Sequence, residues 1–490
     1  MRASGILMHI TSLPSPYGIG TMGRAAREFV DFLAAAGQRY WQVLPMNPTG
    51  FGDSPYQALS TFAGNPYLID LDTLIEEGLL TKQEVDCVHW ADDPCMVDFD
   101  KLYRHRFSVL RLAFARFVPD EAYRAFLKRE QEWLPDFARF MALKSTQKGD
   151  TWLDWEPSVS LHQQEILPEI DRLYAEEIAF HCFLQYEFFR QWDRLRSYCH
   201  ERGITVIGDV PIYVPHDSAD VWGNPQWFLL DERHVPTLVG GCPPDYFKAD
   251  GQLWGTPVYN WEALKKDGYR WWLRRLKGAA RMYDVIRLDH FRGFESFWAV
   301  PYGSPNARNG SWLPGPGMDF FRIVQKEQLA FIAEDLGLLT PAVLELREQT
   351  GFPGMRVLEF AFDSGNENLY LPHQYCKNCV CYAGTHDNAT VLQWYEGLSE
   401  QTRDYVNSYL GLNPQEGVVW GVLRGGMSSV ADLFIAQMQD YLALPGTARM
   451  NQPGDLNDRN WRWRMAPDAI TPALTQRLHE LTWRYGRTVC

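Results

Sequence analysis

Asp289 closes the run Asp284-Val285-Ile286-Arg287-Leu288-Asp289-His290, with an arginine two residues before it. In a β-strand, residues two apart share a face, so Arg287 and Asp289 are expected side by side. A neighbouring guanidinium favours the charged carboxylate, the state a carboxylate nucleophile needs. Two further apolar runs end in acids: Phe331-Ile332-Ala333-Glu334-Asp335, and Val380-Cys381-Tyr382-Ala383-Gly384-Thr385-His386-Asp387-Asn388. A single strand-end Asp reads most simply as a turn or helix cap. Three of them, one or two strand–helix units apart, point to a barrel whose active site gathers at one rim.

Two carboxylates are the minimum equipment for retaining glycoside chemistry. One attacks the anomeric carbon, and the other, protonated, donates to the leaving oxygen. Glu334 fits the acid role, which requires a raised pKa. Asp335 points to the other face if the strand continues, so one of the two acids is expected in the cleft. Asp387, flanked by His386 and Asn388, is placed to hold sugar hydroxyls and to stabilise positive charge developing on a ring. A histidine at a strand end is as a rule a hydrogen-bonded structural residue; within Thr385-His386-Asp387-Asn388 the functional reading is preferred.

The elements that must position these acids follow from hydrophobic periodicity. Gly5-Ile6-Leu7-Met8 and Tyr40-Trp41-Gln42-Val43-Leu44-Pro45 read as the first two strands. Ala25 to Gly37 is helical between them, ending at a glycine suited to a left-handed cap. Residues 71–203 are rich in Leu, Glu, Arg and Phe at helical spacing, and Phe180, Leu184, Phe188 and Trp192 recur at i+4. Gly203 stops that helix, and Ile204-Thr205-Val206-Ile207-Gly208-Asp209 follows as a buried strand. Gly354–Phe360 and Phe434–Met438 supply two more. The expectation is an α/β fold, a (β/α)8 TIM barrel spanning 1–490. A mostly helical insertion is expected at 71–203 and a loop subdomain carrying cleft aromatics at 215–275. Trp41 and Trp192 are expected in the core; Trp254, in Gly-Gln-Leu-Trp-Gly-Thr-Pro, is expected on a loop with its face toward a ligand. Arg292 reads as a plain salt-bridge residue.

Composition narrows the partners. The chain has 490 residues, 46% hydrophobic and 22% charged, with formal net charge −14. A nucleic-acid backbone is therefore a poor partner. Aromatic residues number 19 Trp, 23 Tyr and 27 Phe, and rings in Gly/Pro-rich loops suit the apolar CH face of a sugar. No 18-residue apolar stretch could span a bilayer and no signal peptide is evident, so no membrane partner is expected. Nine scattered cysteines imply reduced thiols and a cytoplasmic location. Cys376-x-x-Cys379-x-Cys381, near His373, has some metal-ligand character, but buried structural thiols are the preferred reading. No nucleotide, phosphate or flavin fingerprint appears, so neither a cofactor nor a metal is expected.

In this order the segments resemble the α-amylase superfamily, and more closely glycoside hydrolase family 77. The resemblance runs through Leu13-Pro14-Ser15 with Tyr17-Gly18-Ile19-Gly20, Asp53-Ser54-Pro55-Tyr56-Gln57, Gly64-Asn65-Pro66-Tyr67 and Asp209-Val210-Pro211-Ile212-Tyr213-Val214. Its most specific piece is Pro243-Pro244-Asp245-Tyr246-Phe247 followed by Gly251-Gln252-Leu253-Trp254-Gly255. It implies retaining transfer of an α-1,4-glucan segment to the 4-hydroxyl of glucose or another glucan. Asp289 would be the nucleophile carrying a covalent glycosyl group, Glu334 the acid/base and Asp387 the transition-state stabiliser. Asp209, Arg287 and His386 would hold the donor sugar at the cleavage point. Ser54, Tyr56 and Trp254 would line subsites, and Asp245, Tyr246 and Phe247 would belong to a loop over the cleft that excludes water. The ligands implied are malto-oligosaccharides, glucose, and amylose- or glycogen-derived glucans, without dependence on calcium; monomer and homodimer both stay open. Pro45-Met46-Asn47-Pro48 and Ala389 depart from the family pattern, which bears on subsite detail and not on the acids. An α-amylase-type hydrolase with the same trio, and a glucan-binding protein without turnover, are the rival readings.

Overall fold

Eight strands close into a parallel barrel: β1 (Ala3–Leu7), β2 (Tyr40–Gln42), β3 (Thr205–Pro211), β6 (Val285–Asp289), β9 (Ala330–Ala333), β10 (Gly354–Val357), β11 (Cys379–Tyr382) and β12 (Leu433–Gln437). The strands between β3 and β9 that are not in this list, β4 (Leu238–Cys242), β5 (Gln252–Pro257), β7 (Ser296–Pro301) and β8 (Ser311–Pro314), form a separate antiparallel sheet. The protein is described by a computed structural model covering residues 2–146, 151–244, 249–455 and 457–488.

Each barrel strand is short and apolar because both of its faces are covered, one by the barrel interior and one by surrounding helices. β1, with residues Ala-Ser-Gly-Ile-Leu, is buried throughout. The helix Arg24–Ala35 after it buries Ala26, Phe29, Val30 and Leu33, one stripe at helical spacing. Gly37 follows with φ +71°, the left-handed position that lets the chain turn back into β2. Ring closure pairs β1 with β12, from Ala3↔Leu433 to Leu7↔Gln437, and leaves no open edge. Trp41 and Trp192 are both fully buried.

Among the described residues between β2 and β3 the regular elements are helices, the main ones being Phe99–Arg116, Leu134–Thr146 and Ala175–Glu201. The last packs Phe180, Phe183, Leu184, Phe188, Trp192 and Leu195 inward. Trp192 donates its indole N–H to the Met282 carbonyl over 3.1 Å, tying this helix to the end of the helix Arg270–Met282 that precedes β6.

The antiparallel sheet has the order β5-β4-β7-β8. Half of it comes from residues beyond 275, since β7 and β8 follow β6 in the chain. Strands this short and half-exposed are specified by their cross-strand partners more than by their own residues. Trp254 therefore stands on β5 and not on a loop.

Candidate active site

Register between neighbouring strands brings the acids together. β3 and β6 pair with Asp209 opposite Arg287 and Pro211 opposite Asp289. β6 and β9 pair with Leu288 opposite Ala333, so Asp289 and Glu334 emerge next to each other at the C-terminal rim. The Glu334 N–H continues that ladder to the Leu288 carbonyl at 3.0 Å. Asp387 reaches the same rim from the loop after β11.

Arg287 is the electrostatic hub. One of its nitrogens, Nη1, lies 2.7 Å from Asp209 Oδ2 and 2.8 Å from Asp289 Oδ1. Burial alone would lower the guanidinium pKa, but the Asp209 and Asp289 charges outweigh it and hold it well above its ordinary range. Asp209 is buried, whereas the Asp289 side chain is 27% exposed, so Asp289 is the carboxylate of the pair that a ligand can reach. The Tyr56 hydroxyl donates to Asp209 Oδ2 over 2.8 Å. Burial, then the Asp209 charge, raise the Tyr56 pKa well above its usual value, so the phenol stays a neutral donor. The Tyr56 ring stacks on His386, with centroids 5.2 Å apart and planes 14° from parallel.

Glu334 sits among main-chain donors, with no ion pair to it among the described residues. The His290 N–H reaches its Oε2 at 2.7 Å and the Leu336 N–H its Oε1 at 2.9 Å. His290 has φ +53°, and this left-handed turn right after Asp289 aims its N–H at the acid. Burial of the carboxyl and the neighbouring Asp289 charge push the Glu334 pKa up to about 8, against the pull of Arg287 and the two N–H groups. Asp335 points away, as strand alternation requires. It is fully buried, 2.8 Å from Arg347, and accepts the Met355 N–H over 2.6 Å.

Asp387 is held at its outer edge. Asn451 Nδ2 donates to its Oδ1 over 2.6 Å, and Arg449 donates to its main-chain carbonyl over 2.5 Å. His386 Nε2 lies 3.4 Å from the same Oδ1. Trp461 packs 5.8 Å from Tyr56 and 6.0 Å from His386, ring centre to ring centre.

The three acids open into one cleft of about 900 Å³, which Ser54, Tyr56 and Trp254 also line. Trp254 meets His290 edge to face at 4.9 Å. Asp209, Arg287 and His386 do not line the cleft: all three are buried, and they reach it through their contacts with Tyr56, Asp289 and Asp387. Asp245, Tyr246 and Phe247 lie outside the described residues. Asn47, one of the departures from the family pattern, is buried and donates to the Ala63 carbonyl over 2.8 Å. Its role is to hold the loop that carries Ser54 and Tyr56. Among the described residues Arg292 makes no ion pair: its guanidinium lies 3.8 Å over the Trp312 ring and it also donates to the Leu338 carbonyl. The Cys379 thiol donates to the Cys376 carbonyl over 3.0 Å and Cys381 is buried; no group of metal-ligating side chains is found among the described residues.

Sequence reading did not single out the 451–462 loop, which walls the cleft with Asn451, Trp461 and Arg462. The signal was present. Asn451-Gln452-Pro453-Gly454-Asp455 is a turn-rich stretch ending near Trp461 and Trp463, the same pattern of rings beside Gly and Pro noted elsewhere.

Known proteins resemble this chain in sequence and fold. The family model for 4-alpha-glucanotransferase (glycoside hydrolase family 77) matches residues 8–471. A 4-alpha-glucanotransferase of Clostridium butyricum is 46% identical over 98% of this chain and 100% of its own. One from Thermus thermophilus is 45% identical over 98% of each chain. The structure of an amylomaltase from Streptococcus agalactiae in complex with acarbose superposes with TM-score 0.97 at 40% identity, covering 100% of both chains. With strand-end acids, a barrel rim that unites them and this match along nearly its whole length, the chain belongs to the 4-alpha-glucanotransferase family, glycoside hydrolase family 77, and is a glycosyl-transferring enzyme.

Proposed function

We propose that Asp289 is the nucleophile, Glu334 the acid/base and Asp387 the transition-state stabiliser of a retaining transfer between α-1,4-glucans. The supporting observation is the contrast between two neighbouring carboxyls. Asp289 is paired with Arg287, while Glu334 is pushed up to about 8 and so carries a proton at neutral pH. Environments that separate two carboxyls in this way assign them opposite roles.

In the first step an Asp289 oxygen bonds to the anomeric carbon as the glycosidic C–O bond breaks. The Glu334 proton goes to the departing oxygen, freeing a shortened glucan and leaving Glu334 ionised. In the second step the 4-hydroxyl of an acceptor gives its proton to Glu334 as its oxygen takes the anomeric carbon and Asp289 leaves. Asp387, fixed by Asn451, faces the ring on which positive charge develops. Arg287 and Asp209 hold the nucleophile in place, and Tyr56 keeps Asp209 in register. Trp254 and the Tyr56 face offer apolar surface to sugar rings.

Donors are malto-oligosaccharides or amylose- and glycogen-derived glucans, and the acceptors are glucose or another glucan. The similarity to an amylomaltase that binds acarbose supports this choice. The scattered thiols favour a cytoplasmic setting; no described helix is long and apolar enough to cross a membrane. Incubation with maltotriose alone tests the reading. Glucose plus a ladder of longer maltodextrins, at constant total reducing ends, is the outcome expected. A rise in reducing ends means hydrolysis, and an unchanged mixture means binding without turnover; either result overturns it.

A further inference from the structure

The antiparallel sheet carries a row of side chains away from the cleft. Leu253 on β5 pairs with Gly241 on β4, Gly241 pairs with Trp298 on β7, and Trp298 pairs with Trp312 on β8. Residues directly opposite in an antiparallel sheet share a face, so these four positions form one line across it. Three strand spacings make that line roughly 14 Å long. Its inner end, Leu253, lines the catalytic cleft, and its outer end, Trp312, is 38% exposed. The glycine between Leu253 and Trp298 adds no side chain of its own.

Trp312 is held as a flat surface and not left as a loose ring. Trp298 meets it at 5.3 Å with planes 66° apart, and the Trp298 indole is itself fixed by donating to the Ala307 carbonyl over 2.8 Å. The Arg292 guanidinium lies 3.8 Å from the Trp312 centroid. Arg292 is anchored on the Leu338 carbonyl, four residues after Glu334, and Leu338 is 64% exposed. The platform is therefore tied to the segment that follows the acid/base, and the sugar that leaves or arrives does so on the acid/base side.

We propose that Trp312, held by the buried Arg292 and flanked by Leu338 and Leu253, is a binding platform for the part of an α-1,4-glucan chain that extends beyond the cleft. An indole ring suits the CH face of a glucose unit, and Arg292, buried against that ring, fixes its orientation. A strand-adding protein partner fits poorly, because β8 has four residues and ends in Pro314. The patch spans a few side chains, the scale of a few sugar rings and far below that of a stable protein interface.

The proposal rests on the transferase reading for the identity of its ligand. Its test uses Trp312→Ala and Trp312→Phe in the full chain with two substrates, maltotriose and amylose. Trp312→Ala is expected to raise the amylose KM roughly five- to tenfold at unchanged kcat. Its maltotriose kinetics stay as in the wild type, and Trp312→Phe restores much of the amylose KM. Weaker retardation of Trp312→Ala in native gels containing amylose is the matching readout, and it needs no turnover. An unchanged amylose KM and gel mobility overturn the platform while leaving the transferase reading intact. An equal loss on maltotriose also overturns it, since Trp312 then supports the cleft itself. If the wild type transfers nothing from maltotriose, the transferase reading fails, and gel retardation alone still decides whether the platform binds glucan.

Discussion

The main-chain N–H of His290, the residue after Asp289, donates to Glu334 Oε2 over 2.7 Å. The strand that ends in the nucleophile thus also orients the acid, and the two carboxyls cannot shift independently. Their closeness has an electrostatic consequence, because the Asp289 charge helps to keep the proton on Glu334.

Glu334 should therefore set the alkaline limb of activity. The first step needs its protonated form, so kcat/KM is expected to fall as pH rises through about 8. A limb unaffected by Glu334→Gln in its position would place the acid elsewhere.

Stability carries the same signature. The folded pKa of Glu334 is raised from 4.5 to about 8, so the folded form binds more protons than the unfolded form between those values. The Glu334 contribution is fully present below pH 4.5 and is lost as pH rises through about 8. Glu334→Gln, which cannot ionise, should gain stability over the wild type across that window. The gain is on the order of 2 kcal/mol, allowing for the partial exposure of Glu334 to the cleft. Denaturant midpoints at pH 5 and pH 9 measure it, and equal differences at both values would refute the raised pKa.

Asp289→Asn should abolish transfer, with a loss of about 10⁴-fold or more, while the fold survives. The amide keeps the size of the side chain, and Arg287 retains Asp209 at 2.7 Å. A glycosyl fluoride should label Asp289 of Glu334→Gln with a sugar mass seen by mass spectrometry, since a good leaving group needs no proton. A label on any other residue removes Asp289 from the nucleophile role.

Tyr56→Phe deletes the hydroxyl that reaches Asp209 but keeps the ring stacked on His386. A lost hydrogen bond to a charged group costs roughly 1.5–3 kcal/mol, so kcat/KM should fall roughly tenfold or more. Tyr56→Ala, which also removes the stack, should be worse. Equal kinetics for both variants would show that the hydroxyl alone matters.

Asn451→Ala frees the Asp387 carboxylate from its 2.6 Å donor. If Asp387 acts as charge develops, kcat should drop about ten- to a hundredfold with little change in KM. A change confined to KM for maltotriose would make the 451–462 loop a binding wall only.

Much was legible in the sequence because the informative signals are local. Strand periodicity marks all eight barrel strands, and an acid at a strand end is visible as residue type plus position. Arg287 and Asp289 are two residues apart, so their contact follows from the pleat alone. The i+4 stripe of Ala175–Glu201 is local in the same sense. What tertiary structure decided is everything that depends on register between distant segments. The sheet joining β4 and β5 to β7 and β8 is long-range pairing of short strands, so from sequence Trp254 reads as a loop residue and Arg292 as a salt bridge. The Asn451 donor lies 64 residues from Asp387, and no periodicity links the two. The raised pKa of Glu334 has the same origin. It depends on how far the folded walls desolvate the carboxyl and how near they bring Asp289, and these are distances that exist only once the barrel has closed.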